Sequence, residues 1–214
     1  MGAGASALPS RLNEAYCKSI MKELYSSSAF VELVDSEMDS PNDGCISSQT
    51  FAEYISTAHD VFLSHNWGKD KSNHSKVVQI ATMLRQEGFK VWLDEDHMQS
   101  NIIDAMNQGI DRSRLVIVCV TAEYQKKVSG HGSKGDKDNC MLEYYRALSD
   151  KGTKGMIPVV MDPAMLDTAK WYGPLKSLNQ ELYQNCSGGD SDEKELYSRQ
   201  LLELSKYLQQ RLGA

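Results

Sequence analysis

The run RLVIVCVT at residues 114–121 constrains the fold more than any other stretch. Side chains along a strand alternate between two faces, so an unbroken apolar strand needs both faces covered. Strand-like and helix-like segments alternate around it. DVFLS (60–64), FKVWLD (89–94), MIPVVM (156–161) and ELYQN (181–185) read as strands. SKVVQIATMLRQEG (75–88) puts Val77, Ile80, Ala81 and Leu84 on one helical face, with Gly88 as its stop. NIIDAMNQGIDRS (101–113) spaces Ile103, Met106 and Ile110 helically, and DNCMLEYYRALSDKG (138–152) turns Met141, Tyr145 and Leu148 inward. The closing helix, 193–212, carries the stripe Tyr197, Leu201, Leu204, Leu208 and Leu212. This order predicts an α/β domain over 59–214: three layers, a five-stranded parallel sheet, and right-handed crossovers. Such sheets meet ligands at the carboxyl ends of their strands, which places the loop SHNWG after the first strand at a site.

Residues 1–58 lack this alternation and read as a helical N-terminal arm. Residues 10–34 predict a helix with Ala15, Ile20, Met21 and Leu24 as its stripe. The segment 35–55 is similar to a calcium loop between two helices. With Gly44 at the sixth loop position, Asp39 is first, Asp43 fifth, Ile46 eighth and Ser47 ninth. Pro41 and Thr50 stand where two ligands belong, so the expectation is a degenerate loop that keeps only the Ile46 packing contact. The start, MGAGAS, fits an N-myristoylation signal at Gly2 with Ser6 in the hydroxyl position, and equally a small, polar terminus. One acyl chain without a polybasic patch gives only weak, reversible membrane attachment.

A net charge of −6 argues against a nucleic-acid partner. No apolar run reaches the length needed to span a bilayer. The five cysteines are odd in number, widely spaced and free of any C-x-x-C, which predicts reduced thiols in a cytoplasmic protein. The five histidines lack the i, i+4 spacing of a helical metal pair, so no metal site is expected.

Set in order, the segments resemble a TIR domain, the Toll/interleukin-1 receptor and plant-resistance type, from about His59 to Leu212. DVFLSHNWGKD resembles the family's first box. GFKVWLDEDHMQSNIIDAM resembles the second strand, its acidic tip and the BB loop. IDRSRLVIVCVTAEY resembles the third strand, NCMLEYYRAL the helix after it, and MIPVVMD the Ile-Pro-Val strand. The N-terminal arm is similar to that of some eukaryotic microbial members. A response-regulator receiver shares this kind of sheet but needs an Asp at the end of its third strand, where this chain has VTAEY.

The resemblance implies a flavodoxin-like fold and an intracellular signalling role. It further implies either cleavage of NAD, as substrate and not cofactor, or non-catalytic scaffolding through other TIR domains. Self-assembly or partner binding would use the BB loop, Glu95 to Ile102. Cleaving the nicotinamide–ribose bond needs little machinery. The cationic ring leaves neutral, and one carboxylate beside the anomeric carbon stabilises the oxocarbenium-like transition state. The resemblance gives that role to Glu143. Helical phase instead points Glu143 outward, where it would pair with Arg146 or Lys151. His65, Asn66, Trp67, Asp94, Ser100 and Cys140 are the residues it implies for substrate binding, together with Phe62, which the apolar strand itself reads as core. The chain departs from the family pattern at His65-Asn66, where enzymatic members often carry Arg, at Asn139 in place of Trp, and at Ser100 in place of Gly. Lys134 and Lys137, in the loop before Glu143, are candidate replacements for the missing Arg.

Overall fold

A computed structural model describes residues 9–21, 30–31, 34–35, 43–94, 102–188 and 194–213. The chain divides into two compact units, Met1–Ala58 and His59–Ala214.

In the first unit, β1 (Arg11–Asn13) runs into α1 (Glu14–Met21). β2 (Cys45–Ser47) leads into α2 (Ser48–Ser56), whose first turn is capped by the Ser47 hydroxyl accepting from the Thr50 amide. The continuous helix expected from residue 10 is thus corrected to a strand followed by a helix. β1 pairs antiparallel with β2, opposing Leu12 to Ile46. That pairing buries both, with Cys17, Phe30, Phe51 and Tyr54, while Ala15 and Ile20 are exposed. Leu24 lies outside the described residues. The register depends on a partner strand more than thirty residues away, which no local periodicity reports. Ile46 is fully buried. Asp43 Oδ1 and the Cys45 carbonyl, the fifth and seventh loop positions, both accept from the Arg11 guanidinium, at 2.7 and 2.6 Å. Asp39 and Pro41 lie outside the described residues.

The second unit is a parallel sheet of β3 (His59–Ser64), β4 (Val91–Trp92), β5 (Ser113–Val120), β6 (Met156–Val160) and β7 (Gln184–Asn185). Their order is β4-β3-β5-β6-β7. This is the 2-1-3-4-5 arrangement of a flavodoxin-like fold, with its topological switch point between β3 and β5. α3 (Ser72–Gln86) and α7 (Lys194–Leu212) cover one face; α4 (Ile102–Asp111), α5 (Ala122–Val128) and α6 (Asn139–Lys151) cover the other.

The alternation along the strands decides what each face receives. Leu115, Ile117 and Cys119 join Val61 and Leu63 against α3 and α7; Val116, Val118 and Val120 join Phe62 against the other three helices. The α3 stripe is fully buried as read, and so are Leu204 and Leu208 of α7. Two helical phases are corrected. On α4, Met106 and Ile110 are buried but Ile103 is 48% exposed. On α6, the inward stripe is Cys140, Glu143, Tyr144 and Ala147, and Tyr145 is 45% exposed. Adjacent tyrosines at 144 and 145 support two stripes about 100° apart, and the pattern of α6 alone does not choose between them. Among the described residues, no helix is long and apolar enough to cross a membrane.

Candidate functional site

β3 ends on the face shared by Phe62, so Ser64 also points toward α5 and α6. There Ser64 Oγ lies 2.6 Å from Glu143 Oε2 and 2.8 Å from the Tyr124 hydroxyl. With the carboxylate ionised, Ser64 donates to Glu143 and Tyr124 donates to Ser64. Glu143 is buried, contrary to the outward position read from helical phase. The exposed ion pair weighed for it is also corrected: Arg146 binds Asp111, and Lys151 lies on Asp150. Burial pushes the Glu143 carboxyl up to about 8; the Ser64 hydrogen bond works against this, and Asp94 and Asp138 add to it.

The start of α6 is built by Asp138, a buried N-cap whose Oδ1 accepts from the Cys140 amide at 3.0 Å. Its Oδ2 holds Lys127 Nζ at 3.0 Å, tying α5 to the same corner. The Cys140 thiol donates to the His65 carbonyl at 3.4 Å, and burial raises its pKa far above the ordinary thiol value. At the other wall, Trp67 Nε1 donates to Asp94 Oδ2 at 2.8 Å.

These groups surround a cavity of about 380 Å³ at the carboxyl ends of the strands. Of the expected site residues, Glu143, His65, Trp67, Asp94 and Cys140 line it. Phe62 does not. It is fully buried behind Trp92, ring on ring at 4.3 Å, and it is Trp92 that faces the cavity. Asn66 does not line it either. Its side-chain oxygen accepts from Thr121 Oγ1 at 2.6 Å, its carbonyl accepts from Asn73, and the residue serves to pin the loop. Of the two loop lysines, Lys134 lines the cavity and Lys137 does not. Ser100 and Gly2 lie outside the described residues.

Sequence reasoning missed Trp92, Lys127, Asp138, Ser64 and Tyr124. An Asp directly before a helical stripe is a capping signal that marks position 138. The two-residue period from Phe62 marks Ser64. Nothing local marks Tyr124 or Lys127.

Gly109 of α4 sets the position of the Trp92 wall. A Cβ there would meet Trp92 Cε2 at 2.5 Å. Gly109→Ala gains about 1 kcal/mol of helix propensity. It also forces a ring that is stacked on Phe62 to move, and overpacking of this kind costs about 1–3 kcal/mol. The clash wins, so urea unfolding should show Gly109→Ala less stable than the wild type.

A family model of the TIR domain matches residues 61–202. No curated protein matches the chain in sequence. Among solved structures, the chain is similar to the crystal structure of a prokaryotic SEFIR domain, at 14% identity and a TM-score of 0.53. That likeness covers 71% of this chain and 99% of the other, and it concerns the fold. With a family match over most of its length and the sheet order that the match implies, the chain belongs to the TIR domain family of signalling proteins.

Proposed function

We propose that the protein cleaves NAD between nicotinamide and ribose, with Glu143 as the carboxylate at the anomeric carbon. The observation that carries this reading is a buried, hydrogen-bonded carboxyl facing a cavity of about 380 Å³. Its walls suit the substrate. Trp92, Trp67, Ile102 and Met106 give it apolar wall against which a ring can pack. Asp94, Asp138 and Glu143 make a surface that favours a cation. The nicotinamide ring carries that charge until the bond breaks and loses it as the bond breaks. Water completes the reaction to ADP-ribose and a proton. Lys134, and Lys127 beside its Asp138 partner, add positive charge at the cavity wall that would suit phosphate. By resemblance to the family, activity belongs to the self-assembled form.

Incubating concentrated protein with NAD under crowded conditions should release nicotinamide, and Glu143→Gln should reduce the rate by at least about 100-fold. No turnover in the wild type, or equal turnover in the variant, rejects the enzyme reading.

A second reading rests on Ile102 and Ile103, which are 52% and 48% exposed at the start of α4. Resemblance places partner binding in this segment. In this reading the protein is a scaffold that binds other TIR domains, and replacing both isoleucines with Asp should abolish assembly. Gly2 acylation is a separate proposal, tested by the intact mass of protein made with a myristoyltransferase.

A further inference from the structure

His65 and His74 have no helical spacing in common, yet the fold brings them into contact. His65 leaves β3 and His74 lies in the first turn of α3. His65 Nε2 and His74 Nδ1 are 2.7 Å apart, and both side chains are buried. Asp94, two residues after β4, completes a group of three whose ligating atoms all lie within 4.8 Å of one another. We propose that His65 Nε2, His74 Nδ1 and Asp94 Oδ1 form a binding site for a divalent transition metal of the zinc class.

Three features of the surroundings support this. The first is orientation. His65 Nδ1 lies 3.3 Å from the Leu63 carbonyl. A proton on Nδ1 leaves the Nε2 lone pair facing His74, the second-sphere arrangement common to metal-bound histidines. The second is an unsatisfied acceptor. Asp94 Oδ2 takes the Trp67 indole proton, whereas Asp94 Oδ1 is buried without a hydrogen-bond partner among the described residues. A buried carboxylate oxygen lacking a donor is a position that a cation satisfies. The third is rigidity. Trp67 stacks on the His74 ring at 4.6 Å, and its indole holds Asp94, so one side chain positions two of the three ligands.

The donor set fixes the class of ion. Two imidazoles and a carboxylate suit Zn²⁺, Co²⁺ or Ni²⁺, not Ca²⁺ or Mg²⁺, which prefer oxygen. Zinc–nitrogen bonds of about 2.0–2.1 Å in a tetrahedral site separate two nitrogens by roughly 3.3 Å. The histidines therefore open by about half an ångström as the ion replaces their shared proton, and His74 then carries its proton on Nε2. His65 and Asp94 line the cavity, so a fourth coordination position faces it. The ion would join the loop after β3, the start of α3 and the segment that follows β4.

Titrating the full chain with Co²⁺, in reducing buffer without NAD, tests the site. One equivalent should bind with the visible absorption of a four-coordinate ion, and Zn²⁺ should displace it. His74→Gln and, separately, Asp94→Asn should each weaken binding by at least about tenfold. Asp94→Asn keeps an oxygen for the Trp67 indole, so the local fold persists, and circular dichroism checks both variants. Because the readout needs no turnover, it is independent of the NAD proposal. A wild type that takes up no Co²⁺ or Zn²⁺, binding unchanged in both variants, or a thiolate-to-cobalt charge-transfer band would each overturn the site.

Discussion

Glu143→Gln is expected to stabilise the protein at alkaline pH while removing its NAD cleavage. The Glu143 carboxyl moves from an ordinary 4.5 to about 8 on folding, chiefly through burial. Its folded pKa lies above its unfolded one, so between these values the folded state holds a proton that the unfolded state has released. Stability then falls as pH rises through that window and levels off above pH 8. A shift of this size corresponds to a penalty on the order of a few kcal/mol at pH 9. Glutamine is neutral throughout and, like the protonated acid, presents an oxygen to Ser64. Urea unfolding should show the two proteins nearly equal at about pH 4, below the unfolded value. The variant should gain steadily to pH 8, and the gap should stay constant beyond. Groups remote from Glu143 titrate alike in both proteins and cancel. A gap that does not change with pH would mean that Glu143 ionises as a solvated acid does.

The same group sets the pH dependence of the proposed reaction. Only the carboxylate stabilises an oxocarbenium-like centre, so kcat/KM for NAD should rise about tenfold per pH unit up to about 8. Bound nicotinamide is a cation and draws the proton off, so the inflection of kcat should lie at lower pH than that of kcat/KM. Of the groups around Glu143, Ser64 lowers its pKa through a hydrogen bond. Ser64→Ala should therefore move the inflection of kcat/KM upward. A merely structural role for Ser64 would lower the rate without moving that inflection.

The sheet and the site were legible to different degrees, and the reasons are physical. The apolar run of β5 reports its own burial on both faces. The stripes of α3 and α7 report theirs, because each helix packs a single apolar face on the sheet. The α6 stripe misleads because its inward face mixes apolar residues with an acid, and a buried glutamate reads as a surface one in any count of apolar residues. Resemblance picked out Glu143 where periodicity pointed it away. The strand β1 and the His65–His74 contact were invisible for one shared reason: both are made by segments distant in sequence or in different elements, and neither leaves a local period. Phe62 and Trp92 show the limit of carrying a site over by position. Phe62 is core, as its apolar strand predicts and against the position the resemblance gives it, and its stacked neighbour lines the cavity.

The Asp111–Arg146 pair is expected to show an asymmetry that reveals what it holds in place. The guanidinium reaches both carboxylate oxygens, Nη2 to Oδ2 at 2.6 Å and Nε to Oδ1 at 3.0 Å, while Lys151 donates to the Asp111 carbonyl. The Asp111 side chain is 8% exposed and that of Arg146 is 33% exposed. Asp111→Ala frees a guanidinium that can turn to water, so the loss is that of charged hydrogen bonds, about 1.5–3 kcal/mol. Arg146→Ala leaves a carboxylate in a buried place with less positive charge beside it, and should cost about 3–5 kcal/mol. Burial already pushes the Asp111 carboxyl upward with Arg146 present, so removing Arg146 must push it further. A carboxyl whose folded pKa is raised holds its proton in the folded state, so the Arg146→Ala deficit should shrink as pH falls. Removing both partners should recover part of it at neutral pH, since no buried charge is then left. The pair joins the end of α4 to the middle of α6. Met106 and Ala105 line the cavity from the first helix, Cys140 and Glu143 from the second. Loosening the pair lets these two walls move apart, so Arg146→Ala should also lose NAD cleavage at temperatures where it remains folded, although Arg146 does not line the cavity.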